Sequence, residues 1–220
     1  MTRGIFIAGN DCALSRAVEA ETVKRVEQYA SALIQNRLTG ASKNPQPEAG
    51  RMPLEWNPSS PISARTLAIG AENRLEHIDE AILICSPPAI RSSVADLSLS
   101  DIEIMINDQI KGWFFLIREL SAIFTSRKHG TLALAYPDIS GSVKEDIPDV
   151  LGPCAIASFR ALTNSLLSAA NKEQYITMGF YTTDAGNEAA FAAYIFKTLD
   201  EIKKNSNGKL HKYGKFHLFK

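Results

Sequence analysis

Apolar and polar positions along the chain follow two alternating rhythms. Short runs rich in Ile, Leu, Ala and Phe, "GIFIAG" from residue 4, "MPLEW" from 52, "EAILICSP" from 80, "GTLALAYP" from 130 and "YITMGF" from 175, are separated by longer stretches whose apolar residues recur at helical spacing. Strands interleaved with helices specify βαβ units, and hence a mostly parallel sheet with helices on both faces. The pattern predicts a doubly wound, Rossmann-like α/β fold in a single domain spanning residues 1–220.

One stretch breaks the alternation. Residues 16–36 carry Val18, Val23, Val26, Tyr29, Ala30, Leu33 and Ile34 at helical spacing and predict one helix. The polar residues 37–51, "RLTGASKNPQPEAGR", hold two prolines and two glycines and read as a loop. The second strand is therefore expected to be missing or reduced. Residues 102–124, "IEIMINDQIKGWFFLIRELSAIF", are apolar around so much of the circumference that this helix has to bury more than one face. One face is expected to meet the sheet and the other a second subunit.

Composition adds limits. With 220 residues, 45% of them hydrophobic, the chain can bury a full core. Lys plus Arg and Asp plus Glu balance at 24 each, so no global field draws nucleic acid or an anionic membrane. Cys12, Cys85 and Cys154 lie far apart without metal-ligand spacing, and no metal site is expected. An odd number of thiols and an N-terminal apolar run too short for a signal segment or a span point to the cytoplasm. Residues 205–220, a C-terminal arm ending "HKYGKFHLFK", interleave basic and aromatic side chains. A terminal strand with Leu210, Tyr213, Phe216 and Leu218 partly buried explains this better than a nucleic-acid surface does.

Several pieces, in order, resemble the short-chain dehydrogenase/reductase family. "LEHIDEAILICSPP" is similar to the family's approach to its fourth strand, though Cys85, Ser86, Pro87 and Pro88 stand where Asn-Asn-Ala-Gly is usual. "NDQIKGWFFLIREL" resembles the helix in which an active-site asparagine precedes a glycine by three residues, which sets Gln109 at the asparagine position. "GTLALAYPDISG" resembles the strand that delivers the catalytic serine, here Tyr136 or Pro137. "GPCAIASFRALTNSLLSAA" resembles the helix of the Tyr-x-x-Ser-Lys pattern, with Ser158 at the serine, Ala155 at the tyrosine and Phe159 at the lysine. The resemblance implies an oxidoreductase in which a tyrosine hydroxyl moves a proton and a nearby ammonium lowers its pKa. A methyl and a phenyl group can do neither. Tyr136, with Lys111 near the Gln109 position, is the one candidate for a displaced proton donor. Cys154 has no local base to activate it and reads as a small buried thiol. The resemblance further implies that the helices over 102–124 and 153–170 form a homo-oligomer interface.

The implied cofactor, NAD or NADP, meets a weakened site. "GIFIAGNDCALSRA" matches the family's glycine-rich turn with Gly9 kept but Ala13 and Ser15 in place of two glycines, which serve the close approach of backbone to pyrophosphate. Asp11 adds a negative charge beside that polyanion. Asn57 falls where the family contacts adenine but also reads as a turn former before proline. Gly179 and Thr183 match the Gly-x-x-x-Thr piece that touches the nicotinamide end. Two functions follow. One is a non-catalytic binding, regulatory or structural protein on this fold, open to a small-molecule ligand; the other is an NAD(P)-dependent oxidoreductase with displaced catalytic groups.

Overall fold

The computed structural model describes residues 3–25, 27–34, 54–138, 149–184, 186–202 and 206–214. Six strands pair all-parallel in one sheet: β1 (Gly4–Asn10), β2 (Gln28–Ile34), β3 (Glu80–Ile84), β4 (Thr131–Pro137), β5 (Ile176–Thr182) and β6 (Lys209–Tyr213), in the order β2-β1-β3-β4-β5-β6. The helices are α1 (Ala13–Lys24), α2 (Pro61–Arg74), α3 (Leu99–Ile106), α4 (Gly112–Arg127), α5 (Leu151–Ala169) and α6 (Glu188–Asp200).

Side-chain alternation along the strands divides the interior in two. Phe6, Ala8, Ala81, Leu83, Cys85, Leu132, Leu134 and Tyr136 face a core shared with α2, α4 and α5. Ile5, Ile7, Ile82, Ile84, Ala133, Ala135, Met178 and Phe180 face the opposite one, closed by α1 and α6. Because both faces are covered, the central strands read as unbroken apolar runs.

The second strand is present, correcting the expectation from the helical spacing. α1 ends at Lys24, and β2 runs alongside β1 from the pair Gly4–Gln28 to Asn10–Ile34. Its Ala30, Ala32 and Ile34 fill the first core, while Tyr29 fills the second. Apolar residues on both faces of a short strand mimic helical spacing, and no glycine or proline separates it from α1. "MPLEW" supplies no strand among its described residues; Leu54 donates one backbone hydrogen bond to Ser31 O at the edge of β2, 2.7 Å. The loop read over 37–51 lies outside the described residues.

The long helix of 102–124 is interrupted. α3 and α4 are joined through a π-helical turn, Asn107–Lys111, that carries Gln109. Such a turn inserts a residue into the helical ladder and is frequent at functional sites. α2 starts on Pro61 behind Ser60, whose hydroxyl accepts the Ser63 N–H at 3.2 Å. In the C-terminal arm Lys209 and Lys212 point outward as expected, but Leu210 is exposed rather than partly buried, since β6 is an edge strand. Phe216 and Leu218 lie outside the described residues. No helix among the described residues is long and apolar enough to cross a membrane.

Two helix ends close in the left-handed region without glycine: Glu76 after α2, φ 62°, and Lys128 after α4, φ 53°. A Cβ there costs about 1–2 kcal/mol, partly offset by the lower entropy that a side chain gives the unfolded chain. Replacing either residue by glycine is expected to raise stability by up to about 1 kcal/mol, seen as a higher urea midpoint at unchanged slope.

Candidate functional site

The carboxyl ends of β1, β3, β4 and β5 open on one side of the sheet. The chain goes from β1 out to β2 and then returns to the other side of β1, so the switch in strand order lies between β1 and β3, where open parallel sheets bind ligands.

At the β1–α1 turn the backbone of β1 lies so close to β3 that a Cβ on Gly9 would come within 2.6 Å of Ile84 O and 2.9 Å of Ile84 Cβ. Strand packing alone therefore demands glycine here. The Ser15 hydroxyl is fully buried; it donates to Asn10 O at 2.6 Å and lies 3.4 Å from Cys12 Sγ. Asn10, 4% exposed, accepts the Ser86 N–H on its Oδ1 at 2.9 Å and so ties the end of β1 to the segment after β3. Ala13 opens α1 and is exposed. Asp11 is held by Arg16 at 3.0 Å, which neutralises the charge that the sequence placed beside the turn.

Asn57 is exposed. Its Oδ1 accepts from Ser59 N–H at 3.2 Å and Ser59 Oγ–H at 2.7 Å, an Asx turn leading into α2. Gly179 packs where α5 and β6 meet, and a Cβ on it would lie 2.7 Å from Leu210 Cδ1 and 3.0 Å from Thr163 Cγ2. Thr183 is exposed just beyond β5, its N–H donating to Tyr213 O at 3.3 Å. Pro137 closes β4 opposite Thr182.

The proton-transfer positions lie deep in packed side chains. α5 turns Gly152, Ala155, Phe159, Thr163 and Leu167 inward, so Ala155 and Phe159 are 0% and 1% exposed. Phe159 meets Trp113 edge-on at 5.1 Å between centroids and Tyr136 at 6.1 Å. Trp113 meets Trp56 at 5.4 Å, and Tyr136 stacks on Tyr181, its partner across β4 and β5, at 6.0 Å and 16°. One aromatic row, Trp56–Trp113–Phe159–Tyr136–Tyr181, thus runs from the loop before α2 to β5. Each such ring pair adds about 0.5–1.5 kcal/mol beyond its burial.

Burial pushes the Tyr136 phenol up to about 12; the Asp138 charge adds to this and Arg160 opposes it. Arg160 is itself paired with Asp138 at 3.3 Å. A phenol so placed is protonated at neutral pH and is a poor general base. Lys111 is exposed, its Nζ 6.0 Å above the Phe115 ring. Gln109 is 4% exposed, and its Oε1, like the Trp56 and Trp113 indole nitrogens, is buried without a hydrogen-bond partner among the described residues. The Trp113 N–H faces the Cys85 thiol, too loosely for a full hydrogen bond, while desolvation holds that thiol far above the ordinary range and makes it inert.

Cys154 corrects the sequence reading: it is exposed on the first turn of α5, because the inward phase of the helix passes through 152 and 155. No group of three or more His, Cys, Asp or Glu among the described residues could hold a metal ion. A groove of about 480 Å³ lies elsewhere, between α6 and β6, lined by Tyr194, Lys197, Thr198, Lys209 and His211 among others.

The sequence reading missed the two tryptophans and Asn10. Trp113 lies four residues after Gln109 and Phe159 four after Ala155, a spacing that puts each pair on one helix face, but nothing local shows that the two faces meet.

No protein-family model matches the sequence, and no curated protein does either. Solved structures do match. A short-chain dehydrogenase from Mycobacterium smegmatis superposes with a TM-score of 0.75 at 10% identity, over 98% of this chain and 93% of that one. The NADH-dependent reductase A1-R′, solved as a complex with NAD, gives 0.73 at 11% identity, over 96% and 95%. Levodione reductase gives 0.72 at 12% identity, over 96% and 95%. The fold is that of the short-chain dehydrogenase/reductases.

If the aromatic row is core rather than a substrate pocket, Phe159→Ala should lose about 3–5 kcal/mol in equilibrium unfolding. Phe159→Lys should lose more, because it adds an unpaired buried ammonium. A Phe159→Lys protein as stable as the wild type would show that the position can hold a cation.

Proposed function

We propose that this chain uses the short-chain dehydrogenase/reductase fold without its redox chemistry, as a binding, regulatory or structural subunit. The observation that carries the proposal is the aromatic row: Phe159, packed against Trp113 and Tyr136, and the buried Ala155 stand where the resemblance puts the ammonium and the phenol. General acid–base catalysis needs a titratable group within hydrogen-bond reach of substrate, and these two positions offer none.

The dinucleotide does not fit the turn as the resemblance implies. Ser15 fills the inside of the turn with its own hydroxyl, and the openness of Gly9 is used against Ile84. Asn57 is committed to its own Asx turn. NAD(H) and NADP(H) are expected to bind weakly or not at all, and sub-micromolar binding of any of the four in isothermal titration would overturn this.

The alternative, an NAD(P)-dependent oxidoreductase with displaced groups, draws on Tyr136 at the end of β4 and on neighbours in fold that are reductases. With a panel of carbonyls and alcohols we expect no hydride transfer. A proton donor is worth about 10²–10⁴ in rate and adds nothing where no nicotinamide is held. Wild-type turnover that disappears in Tyr136→Phe would establish the alternative instead.

The chain is further proposed to assemble as a homo-oligomer through the helices at 102–124 and 153–170. Phe114 is 52% exposed and Ile106 47%. Apart from Pro153 and Arg160, which pairs with Asp138, the outward stripe of α5 is small and polar rather than strongly apolar: Cys154, Ala157, Ala161, Asn164, Ser165 and Ser168. Small side chains let a partner helix approach closely. Light scattering at micromolar concentration should give at least a dimer; a monomer alone would rule the interface out. The free thiols of Cys12, Cys85 and Cys154 fit a reducing compartment such as the cytoplasm.

A further inference from the structure

At the opposite, amino end of the sheet an ionic cluster is only partly satisfied. Glu80, the first residue of β3, is 4% exposed and sits in register between Ile5 and Thr131. Its Oε1 accepts from Arg3 Nη1 at 3.1 Å, while its Oε2 is buried without a hydrogen-bond partner among the described residues, as is Arg3 Nε. The same Nη1 also donates to Asp200 Oδ1 at 3.0 Å, and Nη2 lies 3.4 Å from Glu27 Oε1. One guanidinium thus serves three carboxylates.

The surrounding charges do not relieve this. From α1, Arg25 pairs with Asp200 at the end of α6 and with Glu21 at 3.1 Å, and Lys24 also turns to Glu21. Beside Glu80, the Asp79 carboxylate takes the Gly4 N–H at 2.9 Å and faces His77 at 3.3 Å and His129 at 3.8 Å. Arg3 is therefore the only cation in contact with Glu80 among the described residues.

We propose that Glu80 is a proton-operated latch: in its neutral form it leaves Arg3 to Glu27 and Asp200, fastening the end of α6 to the sheet, and on ionising it competes for that guanidinium and loosens the fastening. α6 carries Phe191, Ile195, Phe196 and Leu199 into the second core, so the latch acts on a whole layer. The proton moves between Glu80 Oε2 and solvent, and no other bond changes.

Burial pushes the Glu80 carboxyl from 4.5 up to about 7; Arg3 opposes this, and Asp200, Glu27 and Asp79 add to it. A carboxyl raised in the folded state stabilises fully below its unfolded value, and that contribution is lost as pH rises through the folded value. Between about pH 6 and pH 8 the folding equilibrium constant should fall about tenfold from this group alone.

Urea unfolding of the full chain at those two pH values tests the latch. Glu80→Gln should abolish the fall, whereas His77→Gln and His129→Gln, which remove the two imidazoles facing Asp79, should keep it. A fall that persists in Glu80→Gln, or that vanishes with either histidine, would overturn the proposal. Should Glu80→Gln fail to fold, carbon NMR of the glutamate carboxyls in the wild type decides. One glutamate titrating near 7 supports the latch, and all of them titrating in the ordinary range sink it. Neither outcome depends on whether the chain binds a nucleotide.

Discussion

Every residue of β1 and β3 is buried, as are the first six of β4, and this two-sided burial is the constraint from which the rest of the molecule follows. Backbone groups in such strands have no access to water, so they pair within the sheet and both faces are closed by helices. In these three strands polar side chains are then confined to the two ends. At the carboxyl end stand Asn10, Ser15, Gln109 and Tyr136; at the amino end, Arg3, Asp79 and Glu80.

The two ends use their polar groups differently. Around the crevice, hydroxyls and amides are turned back onto the protein: Ser15 onto Asn10, Asn10 onto Ser86, Asn57 onto Ser59. A glycine-rich turn leaves bare backbone for a phosphate, whereas this one has its interior filled. The aromatic row completes the closure by packing the region between α5 and β4 as ordinary core. At the amino end the carboxylates outnumber the guanidinium that holds them, and the strain is electrostatic rather than steric.

Fold and catalysis rest on different residues, so the one can be present whatever holds for the other. The doubly wound architecture needs apolar runs, capped helices and a close β1–β3 approach, and it tolerates about nine changes in ten relative to the solved structures it resembles. Proton transfer needs particular atoms at particular places, whereas a buried phenyl ring such as Phe159 contributes packing alone.

The doubly wound fold, four of its central strands and both long helices were legible in the sequence, because hydrophobic periodicity reports burial, and burial on two faces is what a parallel sheet imposes. The side-chain chemistry at Ala155, Phe159, Ala13 and Ser15, on which the resemblance turns, was legible too, since residue identity needs no coordinates. Only the tertiary structure distinguished β2 from a continuation of α1, because a short strand that is apolar on both faces has no period of its own. It alone brought Trp56, Trp113, Phe159 and Tyr136 into one row from four separate segments, and it alone set Glu27, Glu80 and Asp200 around the Arg3 guanidinium. Those are contacts between residues distant in sequence, decided by strand order and helix packing, and local pattern carries no information about either.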